Sequence, residues 1–338
     1  MNTYITPRTP ELEAVARYFS LGLIQSAQKL DNGLVNESFL VRTTQGNFMA
    51  QALNGKLWDE RVINDYCSVQ RYLRTNNLFV PVLLPGQKGS YFYKNKGTLW
   101  RGFEYVQHDS VTTVTPFLAA EAGAMLGRFH TLMARSSFTP TFILKGFHDT
   151  SAIRQRLQTV ARLPAHREKA MLIAPELAFL EKTIETHYLP TDAQKIVIHG
   201  DPKIDNFLFR EGKPIALLDL DTMMYASPLL DIGDAFRSWC RRKPASSEFL
   251  PEVFGSAFSA YNTTAPFQYT FAGVKSAMGL ITLELASRYL TDYFEESYFL
   301  HKADKYATPA EQNLARCRRY VEYYQNMMAY TTPYQRDE

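Results

Sequence analysis

Nowhere does this sequence hold an uncharged apolar run approaching the roughly 20 residues that span a bilayer, nor does it open on a basic segment followed by an apolar one. A membrane partner and a secretory leader are therefore not expected, and the cytoplasm is the expected compartment. Cysteine is scarce: Cys67, Cys240 and Cys317 are odd in number and far apart, which fits neither a disulfide framework nor a metal-ligand spacing. An excess of one charge is lacking too. Thirty-seven Lys and Arg against 34 Asp and Glu leave +3, too balanced to hold a nucleic acid by phosphate neutralisation. Internal repeats and low-complexity linkers are also missing. What remains is 338 residues, 46% hydrophobic and 21% charged, enough for one large core or two lobes.

Periodicity divides the chain into two parts. After a helix-like segment at 11–19, two apolar-rich stretches, 38–44 and 47–53, flank Gln45-Gly46 and predict a β-hairpin. Val62, Tyr66, Val69 and Leu73 recur at helical spacing within 57–74, and two more strands are expected at 89–93 and 98–106. Hairpin, helix and strands in this order suggest a small β-rich, nucleotide-binding lobe. From Pro116 the pattern becomes helical. Helices are predicted over 119–133, 152–162, 176–188, 251–261, 272–294 and 309–328, interrupted by short apolar runs at 196–199 and 214–220. The expected division is a lobe over 1–107 and a larger, mainly helical one over 108–338.

Those two apolar runs flank the most specific signal, His199-Gly200-Asp201-Pro202-Lys203-Ile204-Asp205-Asn206, followed by Leu218-Asp219-Leu220-Asp221 and Asp231-Ile232-Gly233-Asp234. Moving phosphate from ATP requires a carboxylate that orients the acceptor hydroxyl, and oxygen ligands that hold Mg²⁺ against the triphosphate. Asp201 suits the first task, and Asn206 with Asp219 the second. Lys203 would neutralise charge on the transferring group. A polar turn between two strands would use the same residue types, but not at so many fixed offsets.

With these residues the sequence resembles the aminoglycoside phosphotransferase and choline kinase superfamily, and within it the N-acetylhexosamine 1-kinases. The closer resemblance rests on Gly33-Leu34-Val35-Asn36, Gly146-Phe147-His148-Asp149-Thr150, Leu218-Asp219-Leu220-Asp221-Thr222, Arg288-Tyr289-Leu290-Thr291-Asp292-Tyr293 and Asn313-Leu314-Ala315-Arg316. It implies an α+β, protein-kinase-like fold of two lobes with ATP between them. It also implies Asp201 as base, Asn206 and Asp219 as Mg²⁺ ligands, His199 as a brace of the loop, and Asp231 as a structural aspartate. The implied acceptor is the anomeric hydroxyl of N-acetylglucosamine or N-acetylgalactosamine, and the implied assembly a monomer or homodimer. Choline, an amino alcohol, homoserine, another sugar or an aminoglycoside are alternative acceptors, and a catalytically silent nucleotide- or sugar-binding module is the more distant reading.

Two positions depart from the pattern. Kinases of the wider fold place a lysine on the third strand, where this chain has Gln51. Either ATP is held differently, with Arg42 or Lys203 supplying the charge, or the protein is inactive. Gly200 stands where the subfamily can carry asparagine. Other assignments stay open in the sequence: Gly33 and Asn36 belong to a phosphate-covering loop or a plain turn. Glu104 and Val106 form an adenine-binding hinge or an ordinary half-buried strand. Arg288 and Asp292 bind acceptor hydroxyls or form a surface ion pair, with Tyr298 beside them. His148 lines the acceptor cleft or caps a helix.

Overall fold

The computed structural model describes residues 8–30, 36–190, 193–242 and 246–331. Its first part is a five-stranded antiparallel sheet of β1 (Ile24–Leu30), β2 (Glu37–Thr43), β3 (Gly46–Leu53), β4 (Tyr93–Asn95) and β5 (Thr98–Glu104). The strands lie in the order β1-β2-β3-β5-β4. Alternation along the strands sends Phe39, Val41, Ala50, Ala52 and Trp100 to one face. There Leu12, Val15, Ala16 and Phe19 of α1 (Thr9–Tyr18) cover them as a separate small core. The other face turns Leu53 and Leu99 toward α2 (Glu60–Thr75), whose Val62, Ile63, Tyr66, Val69 and Leu73 belong to the main core. Asp59 caps α2 by accepting from the Arg61 N–H. Gln51 and Arg101 are register partners in β3 and β5 on this second face, which puts their side chains next to each other.

The rest is helical around two small ladders. The helices are α3 (Pro116–Arg135), α4 (Thr150–Ala161), α5 (Arg167–Leu172), α6 (Ala174–Thr183), α7 (Pro228–Trp239), α8 (Pro251–Thr264), α9 (Phe271–Glu295) and α10 (Pro309–Ala329). Strand β6 (Ile196–Ile198) pairs with β9 (Met224–Ala226), and β7 (Phe207–Arg210) with β8 (Lys213–Leu217). Helix α9 is buried nearly all round and forms the axis of this lobe. The main core runs on from α2 into the helical lobe without interruption. The linking segment is pinned to it, for Asp109 N–H donates to the Phe209 carbonyl and Asp109 Oδ2 accepts from Glu211 N–H, each at 2.7 Å. This is the two-lobed, protein-kinase-like α+β architecture. No helix among the described residues is long and apolar enough to cross a membrane, and the three cysteines are unpaired.

Four elements differ from the sequence expectation. Strand β1 was not foreseen, because it is an edge strand with only Ala27 fully buried and so shows no alternation. The strand expected at 89–93 is a 3-10 turn over Gln87–Gly89, with Gly89 at φ 75°, and β4 begins only at Tyr93. The helix α7 carries Gly233 and two aspartates, poor helix formers, yet it is buried along most of its length. The helix expected over 176–188 ends at Thr183 and tightens into a 3-10 turn at Ile184–His187.

Gly233 shows why α7 needs its glycine. A Cβ there would come within 2.6 Å of the Ala277 carbonyl oxygen of α9. Gly233→Ala should therefore push the two helices apart and cost about 1–3 kcal/mol. Gly255→Ala in α8, facing open space, should be neutral or stabilise by about 0.5–1 kcal/mol. Urea unfolding of the two variants checks the contrast.

Candidate active site

The loop after β6 is fastened from below by one carboxylate. Asp231, fully buried in the first turn of α7, accepts from the His199 N–H at 2.6 Å and the Gly200 N–H at 2.7 Å, and its Oδ2 also meets His130 Nε2 at 2.9 Å. Burial opposes ionisation, but the bonds from His130 and Gly200 outweigh it and hold this carboxyl below the usual range. His199 Nε2 donates to the Leu218 carbonyl at 2.7 Å, so its Nδ1 is free to accept from the Asp201 N–H at 3.2 Å. Gly200 sits at φ 90°, and a Cβ there would collide with the Thr222 carbonyl oxygen. The glycine at this departure from the subfamily pattern thus has a steric cause.

Above this base the expected residues converge. Lys203 Nζ lies 2.5 Å from Asp201 Oδ2, and Asn206 Nδ2 donates to the Asp201 carbonyl at 2.6 Å. With its nitrogen so committed, the Asn206 amide has Oδ1 left to face a cation. Asp219 is held in left-handed backbone (φ 59°) just beyond β8. Burial, together with the charges of Asp221 and Asp201, pushes its carboxyl up to about 6 against the pull of Lys203 and Arg101. Burial alone would favour a neutral Lys203, yet Asp201 and Asp219 raise it and keep it charged. No group of three or more His, Cys, Asp or Glu among the described residues is arranged to hold a metal. Asn206 and Asp219 fit Mg²⁺ only as a partial shell, which phosphate oxygens and water would complete, as is common for this ion.

The missing third-strand lysine has a counterpart that the sequence did not reveal. Arg101 on β5 donates from Nε and Nη2 to Gln51 Oε1 at 2.8 and 2.6 Å, and from Nη1 and Nη2 to Asp221 at 2.7 and 2.6 Å. Both partners of the ion pair are buried, with side chains 2% and 1% exposed. Gln51 turns its amide nitrogen to Ser38 Oγ at 3.2 Å. The sources of charge expected instead lie elsewhere: Arg42 is exposed near the hairpin end, paired with Asn47, and Lys203 is engaged with Asp201. The cation beside Gln51 is therefore Arg101, and it joins the sheet to the loop that carries Asp219.

The remaining candidates are dispersed. Gly33 lies outside the described residues. Asn36 is buried and accepts from the Asn54 N–H at 3.1 Å, which ties the start of β2 to the end of β3. Glu104 ends β5 with its N–H on the Val82 carbonyl, and the Val106 carbonyl accepts from His108. His148 is not turned to an open cleft: its Nδ1 meets Glu284 Oε1 at 3.1 Å and its Nε2 meets the Gly200 carbonyl at 2.7 Å. Both partners are acceptors, so both ring nitrogens donate and the ring is an imidazolium. Burial disfavours that charge, but Glu284 outweighs it and lifts the group to about 9. Asp292 anchors a loop. Its oxygens accept from the N–H groups of Ser297, Tyr298 and Phe299 and from Asn313 Nδ2. Arg288 donates to the exposed Tyr298 hydroxyl at 2.8 Å, and Arg288, Asp292 and Tyr298 line one surface cavity with Arg156 and Thr291, apart from the other candidates.

Comparison with known proteins places the family and the fold. The profile of the phosphotransferase enzyme family matches residues 26–266. A homoserine kinase of Polaromonas naphthalenivorans (strain CJ2) is 25% identical over 268 residues, 76% of this chain and 78% of that protein. One from Bartonella henselae is 24% identical over 234 residues, 68% of this chain and 70% of its own length. Among solved structures, an amicoumacin kinase in complex with AMP-PNP, Ca²⁺ and Ami superposes with a TM-score of 0.69 at 14% identity, covering 96% of each chain. A microcompartment-associated aminopropanol kinase superposes at 0.63 and 16% identity, covering 92% of this chain and 94% of that one. At such identities the likeness is one of fold.

Two outcomes are expected from these contacts. Arg101→Met strands the Asp221 charge and should cost about 3–5 kcal/mol, whereas Arg101→Met with Asp221→Leu should recover most of that loss. Urea unfolding of the single and double variants measures it, and a single-variant cost under about 1 kcal/mol would show that the pair holds little. For His148 the folded value lies above the ordinary 6.5. Its ion pair therefore stabilises fully below pH 6.5 and fades as pH rises through about 9. Wild type should exceed His148→Gln by on the order of 2 kcal/mol at pH 6 and by much less at pH 10. Equal gaps at both pH values would mean a neutral ring.

Proposed function

Since the chain belongs to the phosphotransferase enzyme family, we propose that it is a Mg-ATP-dependent kinase of a small-molecule alcohol, with Asp201 as the candidate base. The observation that carries the reading is the meeting of Asp201, Lys203, Asn206 and Asp219 in one loop cluster, with Asp219 left short of countercharge until a cation arrives. When bound, Mg²⁺ would supply charge neutralisation for the triphosphate. Asn206 Oδ1 and the Asp219 carboxylate would hold it.

Asp201 has Oδ2 on Lys203, so Oδ1 is the oxygen available to orient the acceptor hydroxyl and receive its proton. Lys203, kept charged, would stand beside the transferring group. His199, Asp231 and His148 would not touch the substrate. They fix the height and tilt of the loop, so that catalysis is mostly positioning. Gln51 with Arg101, and the segment of Glu104 and Val106 where residues 1–107 meet 108–338, would form the nucleotide's side of the cleft.

Two acceptors are in contention. The sequence resemblance favours the anomeric hydroxyl of an N-acetylhexosamine. The curated relatives are named homoserine kinases, which favours an amino-acid alcohol. ADP release with Mg-ATP and a panel of N-acetylglucosamine, N-acetylgalactosamine, L-homoserine, choline and kanamycin separates them. Asp201→Asn should lower turnover of the active acceptor by about 10²–10⁴-fold with Mg-ATP still bound. Undiminished turnover would remove Asp201 from the role.

A further inference from the structure

Helix α7 carries its polar face beyond the loop it fastens. Its last residues reach back to that loop, where the Trp239 indole N–H donates to the Pro202 carbonyl at 3.1 Å. Asp234, one turn after Asp231, is buried and its charge is felt by both Lys203 and His148. Asp234 Oδ1 accepts from Arg237 Nε and Nη2 at 3.1 and 2.5 Å, and Arg237 Nη1 stands 3.5 Å from the Tyr320 hydroxyl of α10.

From there the surface becomes an aromatic floor under guanidinium groups. Arg241 lies 4.5 Å from the centre of the Tyr320 ring. Arg316 lies 5.5 Å from Tyr289 and 5.8 Å from Phe299, and Arg288 lies 5.9 Å from Phe299. The rings touch one another, with Tyr289 5.5 Å from Tyr320 and 4.5 Å from Phe299.

Charge on this floor is unbalanced. Of the four arginines only Arg237 is paired with a carboxylate among the described residues. Asp292, one turn along α9 from Arg288, is already committed to three backbone N–H groups and Asn313. Arg241 has a buried Nη1 without a hydrogen-bond partner. Burial would raise the Tyr320 hydroxyl, but Arg237 and Arg241 outweigh it and lower that group, a sign of net positive potential. Stacking on the rings holds the guanidinium groups of Arg241 and Arg316 in place, and neither is paired with a carboxylate among the described residues that would compete with an anion. A buried donor without a partner is costly until a ligand supplies the acceptor.

We propose that this arginine-aromatic cluster is the acceptor's anion subsite, and that the acceptor is a small alcohol bearing a carboxylate, gripped by Arg241 and Arg316 while its hydroxyl reaches Asp201. The inference rests on the kinase reading and narrows its substrate class. A neutral N-acetylhexosamine would leave the forks unsatisfied, and a polycationic aminoglycoside would be repelled.

The test uses acceptor pairs that differ in the carboxylate: L-homoserine against L-homoserinol, and glucuronate against glucose. Purified protein with Mg-ATP should turn over a carboxylate member with a kcat/KM roughly tenfold or more above that of its neutral partner. In Arg241→Gln and Arg316→Gln, checked for an unchanged melting temperature, that preference should collapse through KM. A neutral acceptor, N-acetylglucosamine included, that outperforms every carboxylate overturns the inference and leaves the kinase reading standing. If no acceptor turns over while Mg-ATP binds, calorimetry with the same pairs decides. Tighter binding of the carboxylate members, lost in the arginine variants, supports the subsite, and equal binding overturns it. Failure to bind Mg-ATP at all removes the kinase reading, and the inference falls with it.

Discussion

Arg101 and Asp221 face each other across the boundary between sheet and helical lobe with two parallel hydrogen bonds and almost no exposure to water. Neither charge is tolerable there alone, because each has lost its hydration. The pair therefore constrains the packing around it: β5 must run where the guanidinium can reach, and the loop after β8 must turn so that Asp221 points inward. That turn holds Asp219, two residues earlier, in left-handed backbone within electrostatic reach of Asp201 and Lys203. Gln51 completes the fork, which explains why a neutral amide suits the third strand in this chain. A lysine there would set a second cation against Arg101.

The loop after β6 is secured by three different kinds of bond. An anion, Asp231, draws in the backbone N–H groups of His199 and Gly200. A neutral imidazole, His199, spans from the Asp201 N–H to the Leu218 carbonyl. A cation, His148, takes the Gly200 carbonyl from the opposite side, with Glu284 behind it. Gly200 is thus held by its N–H and by its carbonyl at once, in a backbone conformation that excludes a side chain. Asp201 follows directly, so its position is determined by groups that do not enter the cleft.

The convergence of the candidate residues was legible in the sequence because their spacing is local. Asp201, Lys203 and Asn206 share one loop, and Asp219 follows the next hairpin, so residue type and spacing carry the signal. The fastenings were not legible, because their partners are remote. Arg101 lies 120 residues from Asp221, and His148 lies 136 from Glu284; a lone buried Arg or Glu has no pattern to mark it. The helical spacing of Arg288 and Asp292 left a surface ion pair and acceptor binding both open. The backbone of residues 297–299 captures Asp292 instead, a tertiary event that one-dimensional spacing does not encode. The lobes themselves were visible from the change of period near Pro116, while edge strand β1 was not, having almost nothing buried to alternate.

An ion pair that closes the wall between two lobes also alters the thermodynamics of whatever enters. A cation left unpaired in such a wall would find its countercharge only when an anion arrived. Here the pairing of Arg101 with Asp221 and Gln51 is complete within the folded chain. Nucleotide association should then bury little surface beyond the ligand's own, giving a small heat-capacity change and an association rate governed by diffusion rather than by rearrangement.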